Sequence, residues 1–358
     1  MSLNPLELPE LLDQCIHHLD ANSDLSACAA VARSWAYPAQ SALYRAPLYT
    51  KRLADLPGPQ RRARLMSTLL NSSHLVSFVR YLHFCPDTEP DICHVAFPRL
   101  EGIETDHFTL TDSVAVGLHQ LFSLPTVRDV SLFCQIPKPA AFLRVWERVS
   151  PTITAIDLHC YDGHHGPLST GAAVVPHRHT VQIPLKALRI KGGAQISTLW
   201  FQDRNCVFDL SELKCLILAT YEHVLQWRTL IPAFETIEML DLGLLQGAVD
   251  LSAFTSLHTL RARSLQFSMI LDVLATIPST NRLRNVYLGA RAGPENIEDF
   301  RSLLSRRAFP HLKEVDLLWR SDLMDVPLPQ LPNIKVKVVK AEGAFGVHPR
   351  LPTCYTTL

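Results

Sequence analysis

Apolar residues recur with two different rhythms along this chain, and the change of rhythm divides it. From Leu8 they stand at Leu8, Leu11, Leu12, Cys15, Ile16 and Leu19, the three-and-four spacing of one helical stripe. Pro9 falls at its start, where a missing N–H costs nothing. The polar run DANSD, residues 20–24, interrupts the stripe and places Asn22 or Ser23 to cap a second helix carrying Leu25, Cys28, Ala29 and Ala32. A third helix is predicted to begin between Trp35 and Pro38, because proline is comfortable in a first turn, and to run to about Leu43.

Beyond this unit a six-residue phrase, apolar-x-x-apolar-x-apolar, returns eleven times, first as VRYLHF from Val79, then as VRDVSL from Val127, and last as LPNIKV from Leu331. The mean period is about 25 residues, with gaps between 19 and 32. Between phrases lie helical spacings, such as Phe142, Val145, Trp146 and Val149, or Ile270, Val273, Leu274 and Ile277. A short strand followed by a helix, repeated, predicts an α/β solenoid with parallel strands on its concave side and helices outside. Unequal gaps predict irregular curvature.

The opening LPELL at Leu8–Leu12, His18-Leu19, Asp24-Leu25 and ACAAVARSWAYPAQSALYR through Arg45 resemble the F-box motif, especially its fungal form. Cys15 and His17 stand where that family more often has aliphatic or small polar residues. The phrases in turn resemble leucine-rich repeats. The asparagine that such repeats commonly carry three places after the phrase is replaced by Asp87, Phe108, Gln135 and Tyr161 in the first copies.

The resemblance implies an F-box at 1–45, a linker helix and capping unit at 46–77, a leucine-rich-repeat-like solenoid at 78–343 and a tail at 344–358. It also implies a substrate adaptor of a Skp-cullin-F-box ubiquitin ligase. Leu8, Pro9, Leu11, Leu12, Ile16, Leu19, Leu25 and Val31 would contact the Skp linker subunit, with Trp35 as the large anchor, and a cullin-RING ligase would be reached through it. A three-helix unit this small cannot cover its own Leu-rich stripes, which favours a docking role over a plain N-terminal cap.

Strand alternation turns the third and fifth residues of each phrase, and the residue just after it, toward the concave side. The candidate substrate-binding residues are therefore Tyr81, His83, Glu104, Asp129, Phe133, Asp157, His159, Arg189, Arg261 and Arg263. Asp106 joins the early, acidic and aromatic part. Lys191, Asp241, Tyr287, Glu314, Asp316, Lys335 and Lys337 join the later, mostly basic part. This segregation of charge fits a polar protein segment, the alternative being a solvated face without a ligand.

Composition narrows the classes further. Lys plus Arg and Asp plus Glu each number 34, so no global field draws the chain to nucleic acid. No apolar run approaches the roughly 18 residues of a membrane span, and no secretory signal opens the chain. An intracellular protein, cytoplasmic or nuclear, is expected, with its nine cysteines mostly buried and reduced. His159, Cys160, Asp162, His164, His165, His177 and His179 offer metal-ligand types, but their segment reads as a long inter-repeat loop and no metal is expected. Arg61, Arg62 and Arg64 read as the wet face of a helix carrying Leu65, Leu69 and Leu70. Phosphate-loop, nucleophile-elbow and zincin motifs are absent, so neither catalysis nor a cofactor is expected. The remaining alternative is a repeat scaffold that binds a protein without a role in degradation.

Overall fold

The computed structural model describes residues 9–19, 22–45, 64, 67–162, 182–192, 200–201, 206–219, 234–245, 249–290, 300, 302–304, 309–319 and 334–340. Two compact units divide the chain, Met1–Ile153 and Thr154–Leu358. Both are α/β with parallel strands, an arrangement compatible with a solenoid-like fold.

Unit 1 opens with α1 (Pro9–His17), α2 (Asn22–Val31) and α3 (Arg33–Tyr44). Leu12, Ile16, Leu25 and Ala39 form their core, with Leu19, Cys28, Ala29, Trp35, Ala42 and Leu43 packed around it. The third helix starts earlier than proline placement predicts and carries Pro38 within it. Its ladder is already established when Trp35 and Ala36 donate to the Ala32 carbonyl at 3.0 and 3.1 Å. The ring of Pro38 therefore removes one interior bond without setting the boundary.

Strands β1 (Tyr81–Phe84), β2 (Gly102–Thr105) and β4 (Asp129–Ile136) pair side by side, and β3 (Phe108–Thr109) pairs the far part of β4. Along β4 burial alternates strictly, with Val130, Leu132, Cys134 and Ile136 inside, as the period of two requires. The unit also holds helices α4 (Asp112–Phe122) and α5 (Pro139–Val145), besides a short helix over Ser73–Val76 and a 3-10 turn over Pro90–His94, and Trp146, just past α5, packs at 5.3 Å from Phe122 and 6.1 Å from Phe142.

Unit 2 runs β5 (Ala155–Asp162), β7 (Ala187–Lys191), β9 (Cys215–Leu218), β10 (Met239–Leu245), β11 (Thr259–Ser264), β12 (Asn285–Ala290), β13 (Glu314–Trp319) and β14 (Lys335–Lys340), in that spatial order. β6 (Ile183–Pro184) and β8 (Phe208–Asp209) form a separate parallel pair, and helix α6 (Phe267–Ala275) follows β11. In the first ten phrases the strand begins at the third residue. The eleventh is shifted: Glu314 pairs with Lys335, which places Asn333 and not Leu331 at the first position.

A repeated backbone device opens the strands. The carbonyl before one strand accepts from two consecutive amides at the start of the next. Arg80 O takes Glu101 N and Gly102 N, Lys186 O takes Lys214 N and Cys215 N, and His258 O takes Arg284 N and Asn285 N, all between 2.7 and 3.1 Å. This fork fixes register without an asparagine ladder.

Where β2 stops short of β4, a side chain continues the pairing. Thr105, 3% exposed, accepts from Phe133 N at 2.9 Å through Oγ1. Thr105→Val keeps the shape and leaves that buried amide without an acceptor, so a loss of about 1–2 kcal/mol is expected. Urea unfolding and faster amide exchange at Phe133 would register it; an unchanged midpoint would mean that water replaces the hydroxyl.

Candidate functional site

Two surfaces hold the residues singled out in the sequence. On the helical unit, Leu12, Ile16 and Leu25 are packed inside, at 3%, 1% and 5% exposure, so they hold the unit together. Leu19 and Trp35 are half-buried against the same core. Leu11 and Val31 stand out, at 43% and 67% exposure. Leu8 and the side chain of Pro9 lie outside the described residues. Tyr37 is a large exposed ring that the apolar stripe did not single out, because it lies off that stripe; it meets Phe78 edge-on at 5.0 Å.

The helical unit is joined to the sheet of unit 1 by the same fork that joins strand to strand. The carbonyl of Arg45, the residue after α3, accepts from Arg80 N at 2.9 Å and Tyr81 N at 3.1 Å. The third helix thus ends where the carbonyl of a preceding strand entry would stand.

The second surface is the strand face. In unit 1 the third positions align as Tyr81, Gly102 and Asp129, and the fifth as His83, Glu104 and Ser131. The ring of Tyr81 lies over Gly102, where a Cβ would come within 2.7 Å of it. Burial raises the phenol, and the Glu101 and Asp129 charges add to the rise. Burial pushes the Asp129 carboxyl up to about 6, with Glu101 adding to the rise and Arg128 opposing it. His83 Nε2 sits 2.7 Å from Asp106 Oδ1, and Phe133 meets the His107 ring edge-on at 4.9 Å.

In unit 2 the fifth positions align across eight strands as Asp157, Arg189, Ile217, Asp241, Arg261, Tyr287, Asp316 and Lys337. Acid and base are not segregated here; they alternate and pair. Asp157 Oδ2 lies 3.3 Å from Arg189 and 3.6 Å from Lys191, Asp241 lies 3.5 Å from Arg263, and Arg261 stacks over Tyr287 at 4.7 Å. Two cations of the neighbouring strand thus already face Asp157. Burial raises the Asp316 carboxyl while Lys337 opposes the rise, and a hydrogen bond from Lys337 lowers Glu314. His159 shares a 2.5 Å hydrogen bond with Tyr161.

The third phrase positions in β5, β7 and β9 carry none of the candidates named from the sequence. Ala155, Ala187 and Cys215, with Ile217, form a buried apolar cluster against Met239 on the face taken as open. Their apolar character was the available signal. Asp241 beside them is only 2% exposed.

Among the described residues no group of three or more His, Cys, Asp or Glu could hold a metal ion, and no helix is long and apolar enough to cross a membrane. His164, His165, His177, His179 and the side chain of Asp162 lie outside the described residues, as do Arg61 and Arg62. Of the eight described cysteines none is in a disulfide and five are buried; burial pushes the Cys93 thiol up to about 12. Comparison with protein-family models and with curated proteins gives no match.

Proposed function

We propose that this chain is a non-catalytic adaptor of the Skp-cullin-F-box kind, in which α1–α3 are an F-box that docks the Skp subunit and the strand face of irregular leucine-rich repeats holds a second protein. The observation that carries the reading is the fork at Arg45. An adaptor works by holding two partners at a set separation, and here the docking helices end in the bond pattern that also opens β2 and β4, so within unit 1 the two surfaces share one backbone lattice. A flexible tether would spread the bound protein over many positions; a fixed one raises the effective concentration of its lysines near a ubiquitin-charged enzyme. No residue of this chain performs covalent chemistry in such a scheme.

Leu11 and Val31 support the docking half, as exposed apolar side chains beside a well-filled core. The acidic and aromatic strand face of unit 1, with Tyr81, Glu104, Asp129 and Phe133, supports the second half.

Affinity purification of the full chain followed by mass spectrometry is the test. The Skp and cullin subunits are expected among the captured proteins. Capture of other proteins with neither subunit would replace this reading with that of a scaffold outside degradation.

A further inference from the structure

The entries to the strands carry a charge pattern separate from the strand face. In unit 2 the second positions of the phrases from Leu185 to Leu312 are Lys186, Lys214, Glu238, His258, Arg284 and Lys313, joined in a row by the backbone forks. Adjacent entries therefore lie about 4.8 Å apart. Glu238 is engaged by Lys214 at 3.2 Å, and Glu314, just past Lys313, is engaged by Lys337.

At the β12 and β13 entries the pattern is doubled. Arg282 and Arg284 flank the buried Leu283, and His311 and Lys313 flank the buried Leu312, so all four polar side chains are exposed. Among the described residues none of the four has an ion-pair partner. The scaffold beneath them is pinned. Asn281, fully buried, accepts from Leu283 N at 2.9 Å and donates to the Pro278 carbonyl, Arg284 N bonds His258 O at 2.8 Å, and Lys313 N bonds Arg284 O at 2.8 Å. Three cations and a histidine are thus exposed together on hydrogen-bonded backbone, in a chain of balanced charge, with no ion-pair partner among the described residues.

We propose that this edge docks an extended acidic segment of a protein partner, with two carboxylates spaced as in Glu-x-Glu. Charge complementarity sets the class of ligand, and spacing sets its form. Residues two apart on an extended chain are separated by about 6.8 Å, and Arg282 and Arg284 stand two apart just before β12. Each guanidinium can take one carboxylate bidentately while Lys313 adds a point charge from the neighbouring entry. The array is only two entries wide, whereas nucleic-acid affinity rests on many phosphates neutralised together, and a net charge of zero supplies no general pull. This edge is distinct from the strand face assigned to the second protein above.

The test uses the full chain and fluorescence anisotropy at low salt with three labelled probes: a ten-residue peptide alternating Glu and Gly, a peptide of five Glu followed by five Gly, and a single-stranded ten-nucleotide oligonucleotide. The alternating peptide is expected to bind, at least threefold more tightly than the block peptide and more tightly than the oligonucleotide. Arg284→Glu with Lys313→Glu is expected to weaken it at least tenfold, while Arg99→Glu with Arg148→Glu, exposed arginines of unit 1, leaves it unchanged. Equal loss in both variants, equal binding of the two peptides, tighter binding of the oligonucleotide, or no binding of the alternating peptide would each overturn the proposal. Circular dichroism of both variants separates loss of the site from loss of the fold.

Discussion

Leu11→Asp combined with Val31→Asp is expected to abolish capture of the Skp subunit while the chain unfolds at its wild-type urea midpoint, and Ile16→Ala is expected to unfold the helical unit. The two outcomes follow from where these residues sit. Leu11 and Val31 are 43% and 67% exposed, so a carboxylate at either is solvated in the free chain and becomes a desolvated charge only when a partner covers it. An apolar anchor in the centre of an interface often contributes 2 kcal/mol or more, so losing two should weaken binding by more than about a hundredfold. Ile16, at 1% exposure, stands inside a core of only a few side chains, and Ile→Ala at such a site costs about 2–5 kcal/mol. Unchanged Skp capture by the Asp double variant, measured by co-purification, would show that α1 and α2 do not present the docking surface.

That distinction between exposed and core positions was not legible in the sequence. Leu11, Leu12 and Ile16 belong to one helical stripe, and periodicity alone assigns them the same role. Only packing separates them: Ala39 of α3 and Leu25 of α2 close over Leu12 and Ile16 and leave Leu11 outside. The strands, by contrast, were legible nearly to the residue, because the fourth and sixth positions must be apolar wherever a parallel strand is buried, as Val130 and Leu132 are. The eleventh phrase shows the limit of that rule. Its first position is Asn333, so a search keyed to an apolar start falls two residues early on Leu331, while the pairing of Val315 with Val336 and Leu317 with Val338 holds the frame.

Charge was legible in identity but not in arrangement. Counting signs along the chain gives an acidic early part and a basic later part. Aligning the phrases by register gives the order Asp157, Arg189, Ile217, Asp241, Arg261, Tyr287, Asp316 and Lys337, in which acid and base neighbour one another three times. The cross-strand partner is the relevant neighbour, and it lies some 20 to 30 residues away in sequence, so composition along the chain cannot reveal it.

Within that row Asp241 is expected to carry the largest share of stability: Asp241→Ala should cost about 2–4 kcal/mol in urea unfolding, and Asp157→Ala about 1 kcal/mol or less. The side chain of Asp241 is 3% exposed and lies 3.5 Å from Arg263, itself 22% exposed, with Arg261 at the register position beside it. Removing the carboxylate leaves a partly buried guanidinium without its counter-charge and opens a gap against packed neighbours, two penalties that add. Asp157 is more exposed, at 14%, and its partners Arg189 and Lys191 can turn to water when it is removed, which limits the loss. The same reasoning predicts the sign of the double replacement. Asp241→Leu with Arg263→Met removes both charges and fills the space with apolar atoms next to the existing cluster of Cys215, Ile217 and Met239, so it should recover most of the stability that Asp241→Ala loses. A single Asp241→Ala variant within about 0.5 kcal/mol of wild type would mean that water reaches this part of the row and that the pair is a surface interaction. A double variant no better than the single would mean that the carboxylate is required for its geometry, holding Arg263 over β10 and β11, and not merely as a counter-charge.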